Sequence, residues 1–151
     1  MDYTVMLGRS GKVEFVEACV EHLIEELNLT NSKCKLIITQ DKNIRKTEKC
    51  DGTTACVVGS KNKVLVITLN ASLPFNTTLT LLAHEMVHVK QFASGKLRVE
   101  RIRKKLVHVW LGKRVTGLHY YDQPWEKQAY AMERNLANGF LKRYESVLDI
   151  R

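Results

Sequence analysis

The chain has 151 residues, of which 44% are apolar and 26% are charged, the composition of an ordinary globular protein. No apolar run approaches the roughly 20 residues of a membrane-spanning helix, and the N-terminus carries no stretch of the signal-peptide kind. We therefore expect one domain over residues 1–151, in the cytoplasm and with no membrane partner. A monomer is the expected oligomeric state.

The positive charge is concentrated in one segment. Of the net charge of +8, the window Lys96–Arg114 carries +7, from eight cationic side chains and one acid, Glu100. A field of this kind indicates an acidic partner, with nucleic acid first and an acidic protein substrate second. The alternative is a solvated surface that only keeps the protein soluble.

The cysteines do not form a disulfide pattern. Cys19, Cys34, Cys50 and Cys56 show no C-x-x-C pairing and are too sparse for a disulfide scaffold. We expect reduced thiols. A second, structural zinc site that uses Cys34, Cys50 and Cys56 is the alternative.

The first half of the chain predicts a helix followed by three strands. Apolar residues recur at helical spacing over 13–28, and Ser10 is a candidate N-cap. Cys34–Gln40 is short and β-branched, which favours a strand, and the polar stretch Asp41–Thr54 then indicates a loop. Two further apolar runs, at 55–60 and 63–70, predict a hairpin around a turn at Lys61-Asn62.

The second half predicts two long helices with a basic insert, residues 96–118, between them. Pro74–Ala93 has helical periodicity and is stopped by Gly95, and Lys96–Lys105 reads as a basic helical piece. Leu106–Val115 alternates in the manner of a short hairpin. The last helix is expected from Pro124 to about 147. This order of N-terminal helix, three-stranded sheet, helix, insert and C-terminal helix is α+β.

The segment His84-Glu85-Met86-Val87-His88 lies in the middle of the predicted Pro74–Ala93 helix. Residues i and i+4 share one helical face, so two neutral imidazoles can converge on one Zn²⁺ at roughly 2.0–2.1 Å. Glu85 can then take a proton from the metal's water. The alternative is a pair of core histidines that hydrogen-bond to the backbone.

A catalytic zinc needs a third protein ligand and an open fourth position. The downstream candidates are His108, His119, Glu100, Asp122, Glu126 and Glu133. We favour Glu126, because it starts the last helix and Ala129 permits close contact with the motif helix. His119 is second, in an expected loop, whereas His22 and His108 read as ordinary surface or strand residues.

The paired motifs carry a family resemblance. His84-Glu85-x-x-His88, then Trp110-x-Gly112-Lys113, then Tyr121-x-x-Pro124-Trp125-Glu126-x-x-Ala129 resembles the short zinc metallopeptidases of tailed phages. These are similar in outline to gluzincins and to SprT-like proteins, which implies a minimal zincin-like domain. The resemblance implies His84, His88 and Glu126 as ligands of one Zn²⁺ per chain. SprT-like proteins proper use a third histidine, which keeps His119 as an alternative.

The function implied is hydrolysis of peptide or protein substrates by an activated water, with Glu85 as general base and acid. Candidate donors to the oxyanion are Tyr120, Tyr121 and Tyr130, each of which could equally be a packing aromatic. Strand 63–70 is a candidate edge for pairing with an extended substrate.

Two other functions stay open. The chain could bind nucleic acid through Lys96–Arg114, with a zinc site that is structural or active only on DNA. It could also be a basic domain that acts in virion assembly.

Overall fold

The computed structural model describes residues 1–8, 12–57, 63–70 and 72–149, which form a mixed α+β structure of four helices and two small sheets. The helices are α1 (Val13–Glu26), α2 (Ile44–Thr47), α3 (Phe75–Ala93) and α4 (Pro124–Asp149). The strands are β1 (Asp2–Met6), β2 (Lys35–Gln40), β3 (Gly52–Cys56), β4 (Val64–Leu69), β5 (Leu97–Ile102), β6 (Lys105–Trp110) and β7 (Lys113–Val115). Across the described part of the chain, no helix is long and apolar enough to cross a membrane.

The first sheet has four strands in the order β1-β2-β4-β3, with β3 antiparallel and the others parallel. Its inner strands bury alternate residues such as Leu36, Ile38 and Ile67. The sequence predicted three strands in this sheet, and that number is wrong because the sheet also contains β1, which was not predicted. β1 alternates between exposed and half-buried residues at a sheet edge, so its sequence has little of the apolar pattern that predicts a strand.

The hairpin predicted at 55–60 and 63–70 is present as the antiparallel pair β3–β4, and its predicted turn at 61–62 lies outside the described residues, as does Ser10. The expectation that strand 63–70 forms an edge is wrong, because β4 lies between β2 and β3. The edge strand that packs against α3 is β3. It begins within the predicted loop Asp41–Thr54, which also contains α2.

A close approach between β3 and α3 depends on Gly52. A Cβ atom at this position would lie 2.9 Å from Cδ1 of Leu81, so a larger residue would require the Leu81 side chain or the strand to shift. Helix α3 packs against α1 and α4 as well as β3, and its predicted apolar stripe, which includes Leu79, Leu82 and Met86, is buried. Gly95, at φ +78°, ends the helix as predicted, and its N–H donates to the Phe92 carbonyl.

The basic insert folds as the second sheet, in the order β5-β6-β7. The predicted hairpin at 106–115 is confirmed as β6–β7, but the predicted helix over Lys96–Lys105 is wrong, since β5 pairs with β6 along its whole length. Cations are common on exposed helix faces, so local composition favoured a helix. Cross-strand pairing, which composition does not reveal, decided the outcome.

Candidate metal centre

Helix α3 presents three polar side chains toward the start of α4. His84, Glu85 and His88 are all buried, and the two imidazole rings lie 4.9 Å apart between centroids. The apolar stripe of the same helix faces the core, so these three residues are not needed to fill it. Helical spacing therefore places the motif at the boundary between the core and the neighbouring helix.

Glu126 meets both imidazoles from the first turn of α4. Its Oε2 lies 3.0 Å from Nε2 of His84, and its Oε1 lies 3.1 Å from Nε2 of His88. The ligand atoms of the three residues all lie within 4.8 Å of one another, so this buried group could hold a metal ion. Two imidazole nitrogens and one carboxylate are a donor set that suits a transition metal such as zinc.

The outer nitrogens of both histidines have hydrogen-bond acceptors. Nδ1 of His84 lies 2.8 Å from Oε2 of Glu133, and Nδ1 of His88 lies 2.8 Å from Oε1 of Gln91. Each Nδ1 therefore donates outward, and each Nε2 donates to Glu126, so loss of the Nε2 protons would free both nitrogens to bind a metal ion. A carboxylate or amide acceptor behind a histidine is the usual support of a metal ligand.

Gln91 also ties the two helices together behind the site. It is fully buried, and its Nε2 donates to the Trp125 carbonyl at 3.0 Å and to Oε1 of Gln128 at 2.9 Å. The same side chain therefore orients His88 and anchors the residue before Glu126. Gln128 serves as an acceptor for Gln91.

Glu85 is held by the edge strand of the first sheet. The Thr54 hydroxyl lies 2.5 Å from Oε2 of Glu85 and 3.2 Å from the Glu85 backbone oxygen. Burial raises the pKa of Glu85, while His88 and the Thr54 hydrogen bond oppose that rise. The result is a carboxyl group with a raised pKa, in contrast to Glu126.

Glu126 is the ionised partner of the two histidines. Burial by itself raises its pKa, but hydrogen bonds from His84 and His88 outweigh burial and lower the pKa of Glu126 to about 2. Burial lowers the pKa of each histidine, yet the facing carboxylates, Glu126 above all, raise both values above 6.5 overall. The Glu126 carboxylate thus holds the two rings at the centre of the site.

Two of the three candidate tyrosines lie close to this group. Tyr130 packs edge-on against His84, with ring centroids 4.5 Å apart, and its hydroxyl lies 3.4 Å from that of Tyr120. Burial raises the pKa of both tyrosines, and the neighbouring Glu126 carboxylate raises both further. Tyr121 is 71% exposed and stands at the mouth of the cleft.

The other candidate ligands are not part of the group formed by His84, His88 and Glu126. His119 is exposed, Glu133 supports His84, and Glu100 pairs with Arg114. His108 is on a strand, as predicted, but its ring stacks on Trp125 at 4.8 Å and borders the cleft. His22 is buried in α1, so its assignment as a surface or strand residue is wrong.

All four cysteines are free, as predicted. Within the described ranges, the group of His84, His88 and Glu126 is the only candidate metal cluster, and the cysteines do not form a second one. The alternative of a structural zinc site on Cys34, Cys50 and Cys56 therefore has no support.

Cavities lie on both sides of the group. The larger, of about 550 Å³, is bordered by Glu85, His88 and Glu126 and has apolar walls that include Phe92 and Trp125. The smaller, of about 280 Å³, is bordered by His84, Glu85 and Glu133. The candidate metal centre is therefore accessible to a molecule that extends to either side of it.

Three residues of the site were missed by reasoning from the sequence. Gln91 and Thr54 drew no attention, and Glu133 was considered only as a ligand. Gln91 lies three residues after His88 and Glu133 lies seven after Glu126, so helical spacing could have flagged both. No local signal could have linked Thr54 to Glu85, because the contact joins two elements that are 31 residues apart.

Comparisons of the chain with protein-family models, with curated proteins and with solved structures yield no match. The geometry of the site is therefore the basis for any statement about function.

Proposed function

We propose that the protein is a zinc-dependent peptidase with His84, His88 and Glu126 as metal ligands. The observation that carries this proposal is the buried Glu85 carboxyl group beside the three ligands, at the wall of a cleft of about 550 Å³. A structural metal site needs ligands but neither an adjacent acid nor an open side. The combination favours catalysis over a purely structural role.

A zinc ion held by the three ligands would supply Lewis-acid chemistry, lowering the pKa of a water molecule toward about 7 and polarising a carbonyl group. The residues of the chain carry out the proton transfers. Thr54 holds Oε2 of Glu85, so Oε1 is the atom that takes the proton from the attacking water. The new C–O bond forms at the scissile carbonyl, the C–N bond breaks, and Glu85 delivers its proton to the leaving amine.

A hydroxyl donor assists the developing oxyanion. When the Tyr120 hydroxyl donates to the Tyr130 hydroxyl, 3.4 Å away, the proton of Tyr130 is left available for a substrate oxygen. The raised pKa of Tyr130 keeps this hydroxyl protonated at neutral pH. Tyr130 is therefore our choice as oxyanion donor, and Tyr121 at the mouth of the cleft would contact the substrate.

The substrate would be an extended peptide that pairs with β3. This strand is the edge beside α3, and Thr53 and Thr54 border the larger cavity. The protein would then be a minimal zincin-like peptidase of the gluzincin type, similar to the short phage and SprT-like enzymes. The third ligand Glu126 supports the gluzincin form over one that uses His119.

The test is hydrolysis of a mixed peptide library, followed by mass spectrometry, with zinc content measured on the same samples. Glu85→Gln is expected to keep zinc and to lose roughly 10²–10⁴-fold in rate, because proton transfer is removed. Glu48→Gln, at the exposed rim of the same cleft, is the matched control and should cleave normally. Cleavage by Glu85→Gln at the wild-type rate would refute the proposed role of Glu85.

A further inference from the structure

The sheet β5-β6-β7 has one face against the protein and one face toward solvent. Paired residues of antiparallel strands point to the same side, so Leu97, Trp110 and His108 share the inner face. That side packs on the core, and His108 stacks on Trp125. The sheet is therefore fixed beside the residue that precedes Glu126.

The opposite face is basic. Arg98, Val109 and Arg114 lie side by side across the three strands, and Val109 is buried although it points outward. The two arginines that flank Val109 in the sheet are both exposed. Lys105 extends the same face toward the β5–β6 turn. We call Arg98, Arg103, Lys104, Lys105 and Arg114 the basic face.

The β5–β6 turn presents two cations in an unfavourable backbone conformation. Ile102 pairs with Lys105, so Arg103 and Lys104 form a two-residue connection, with φ values of +48° and +66°. This is the conformation of a type I′ turn, in which Asn-Gly is strongly preferred because side chains with a Cβ are strained at positive φ. Hairpin geometry alone would not select Arg-Lys here. The presence of two cations at strained positions points to a function of the charges.

Few of the positive charges on this surface are balanced by an acidic side chain. Within the residues that the structure describes, Arg114 has an ion pair, with Glu100 at 3.2 Å, and the other four cations of the basic face have none. A broad sheet face that carries both arginine and lysine is complementary to a regular array of phosphates.

We propose that the basic face binds the phosphate backbone of duplex DNA, with Arg103 and Lys104 at the turn as principal contacts. Contacts of this kind are independent of base sequence, and they place the duplex on the side of the sheet opposite to Trp125 and the cleft. The inference is independent of peptidase activity and would hold for an inactive protein.

The test is fluorescence anisotropy of a labelled 20-base-pair duplex, titrated with zinc-loaded protein at several salt concentrations. Arg103→Asn combined with Lys104→Gly removes two cations and restores the preferred turn. It should weaken DNA binding and flatten the log–log salt dependence by roughly 2 units, at about 0.9 per phosphate lost. The same variant should melt at a higher temperature than the wild type, because the strain at positive φ is relieved.

The matched control, Lys33→Asn with Lys35→Asn, removes the same charge from exposed positions at the start of β2. It should leave the salt dependence unchanged. An unchanged slope in the turn variant, an equal loss in the control, or no DNA binding at low salt would overturn the proposal. So would binding to vesicles that contain phosphatidylserine without binding to the duplex. A turn variant that melts at or below the wild-type temperature would refute the argument from strain.

Discussion

The Thr54 hydroxyl donates a hydrogen bond of 2.5 Å to Oε2 of Glu85, which joins the edge strand β3 to the centre of helix α3. Gly52, two residues earlier, permits this contact by letting the strand approach Leu81. The hydrogen bond stabilises the ionised form of a carboxyl group whose pKa burial raises. The strand that we expect to bind substrate thus also tunes the proposed general base.

Removal of that donor should shift the pH dependence of catalysis. Thr54→Val keeps the shape of the side chain but loses the hydrogen bond, so the pKa of Glu85 should rise further. A bond to a charged group contributes about 1.5–3 kcal/mol, which corresponds to about 1–2 pH units. The acid limb of kcat/KM should move to higher pH by about that amount. Thr68→Val on β4 is the control, and an unmoved acid limb in Thr54→Val would contradict the assignment.

The support of His84 by Glu133 can be measured as metal affinity. Glu133→Ala leaves Nδ1 of His84 without its acceptor at 2.8 Å, which frees the ring to rotate and change tautomer. We expect zinc affinity to fall about 10–100-fold in a competition titration with a chelator. The exposed neighbour Arg134 offers the control Arg134→Ala. Equal affinities in the two variants would leave Glu133 without this role.

The candidate metal group was easier to predict from the sequence than its surroundings. The HExxH spacing places His84 and His88 on one helical face, whereas Glu126 was favoured by its place at the start of the last helix and by the resemblance to phage metallopeptidases, with His119 as the alternative. Helical spacing places Gln91 near His88, but its role as a link between the two helices could not be predicted. That role depends on hydrogen bonds to Trp125 and Gln128, which are distant in sequence. Thr54 was hidden for the same reason, in a stretch predicted as loop.

Strand prediction failed where pairing partners decide the structure. Residues 97–102 contain two arginines and a glutamate and were predicted as helix, yet their six pairs with β6 make them a strand. β1 was missed because its residues are only half-buried at the sheet edge. In both elements the stabilising contacts come from residues distant in sequence, so no local pattern revealed them.

His22 should make the fold sensitive to acid. Neither ring nitrogen has a hydrogen-bond partner in the described part of the chain, and burial lowers the pKa of His22 below 6.5. Below about pH 6.5 the unfolded chain therefore binds more protons than the folded one, and stability falls as the pH drops toward the folded pKa. His22→Leu should remove this part of the loss in urea unfolding at several pH values. If His22→Leu and the exposed control His119→Leu lose stability alike, His22 is not responsible.

The thiols should titrate as four free groups. In denaturant without reductant, a thiol reagent should find four per chain, since none is in a disulfide. In the folded protein Cys19 should react last, because it is fully buried and burial raises its pKa to about 12. Fewer than four groups in denaturant would contradict the reduced state. Release of two zinc ions per chain by chelation would revive a cysteine site.

Zinc stoichiometry tests the account most directly. Purified wild-type protein, dialysed and analysed for metal, should contain one zinc per chain, and His119→Ala should match it because His119 is exposed and apart from the ligand group. Glu126→Ala should lose most of its zinc, since it removes the carboxylate that lies 3.0 and 3.1 Å from the two imidazoles. Full zinc retention in Glu126→Ala, or loss of zinc in His119→Ala, would contradict the metal centre described here.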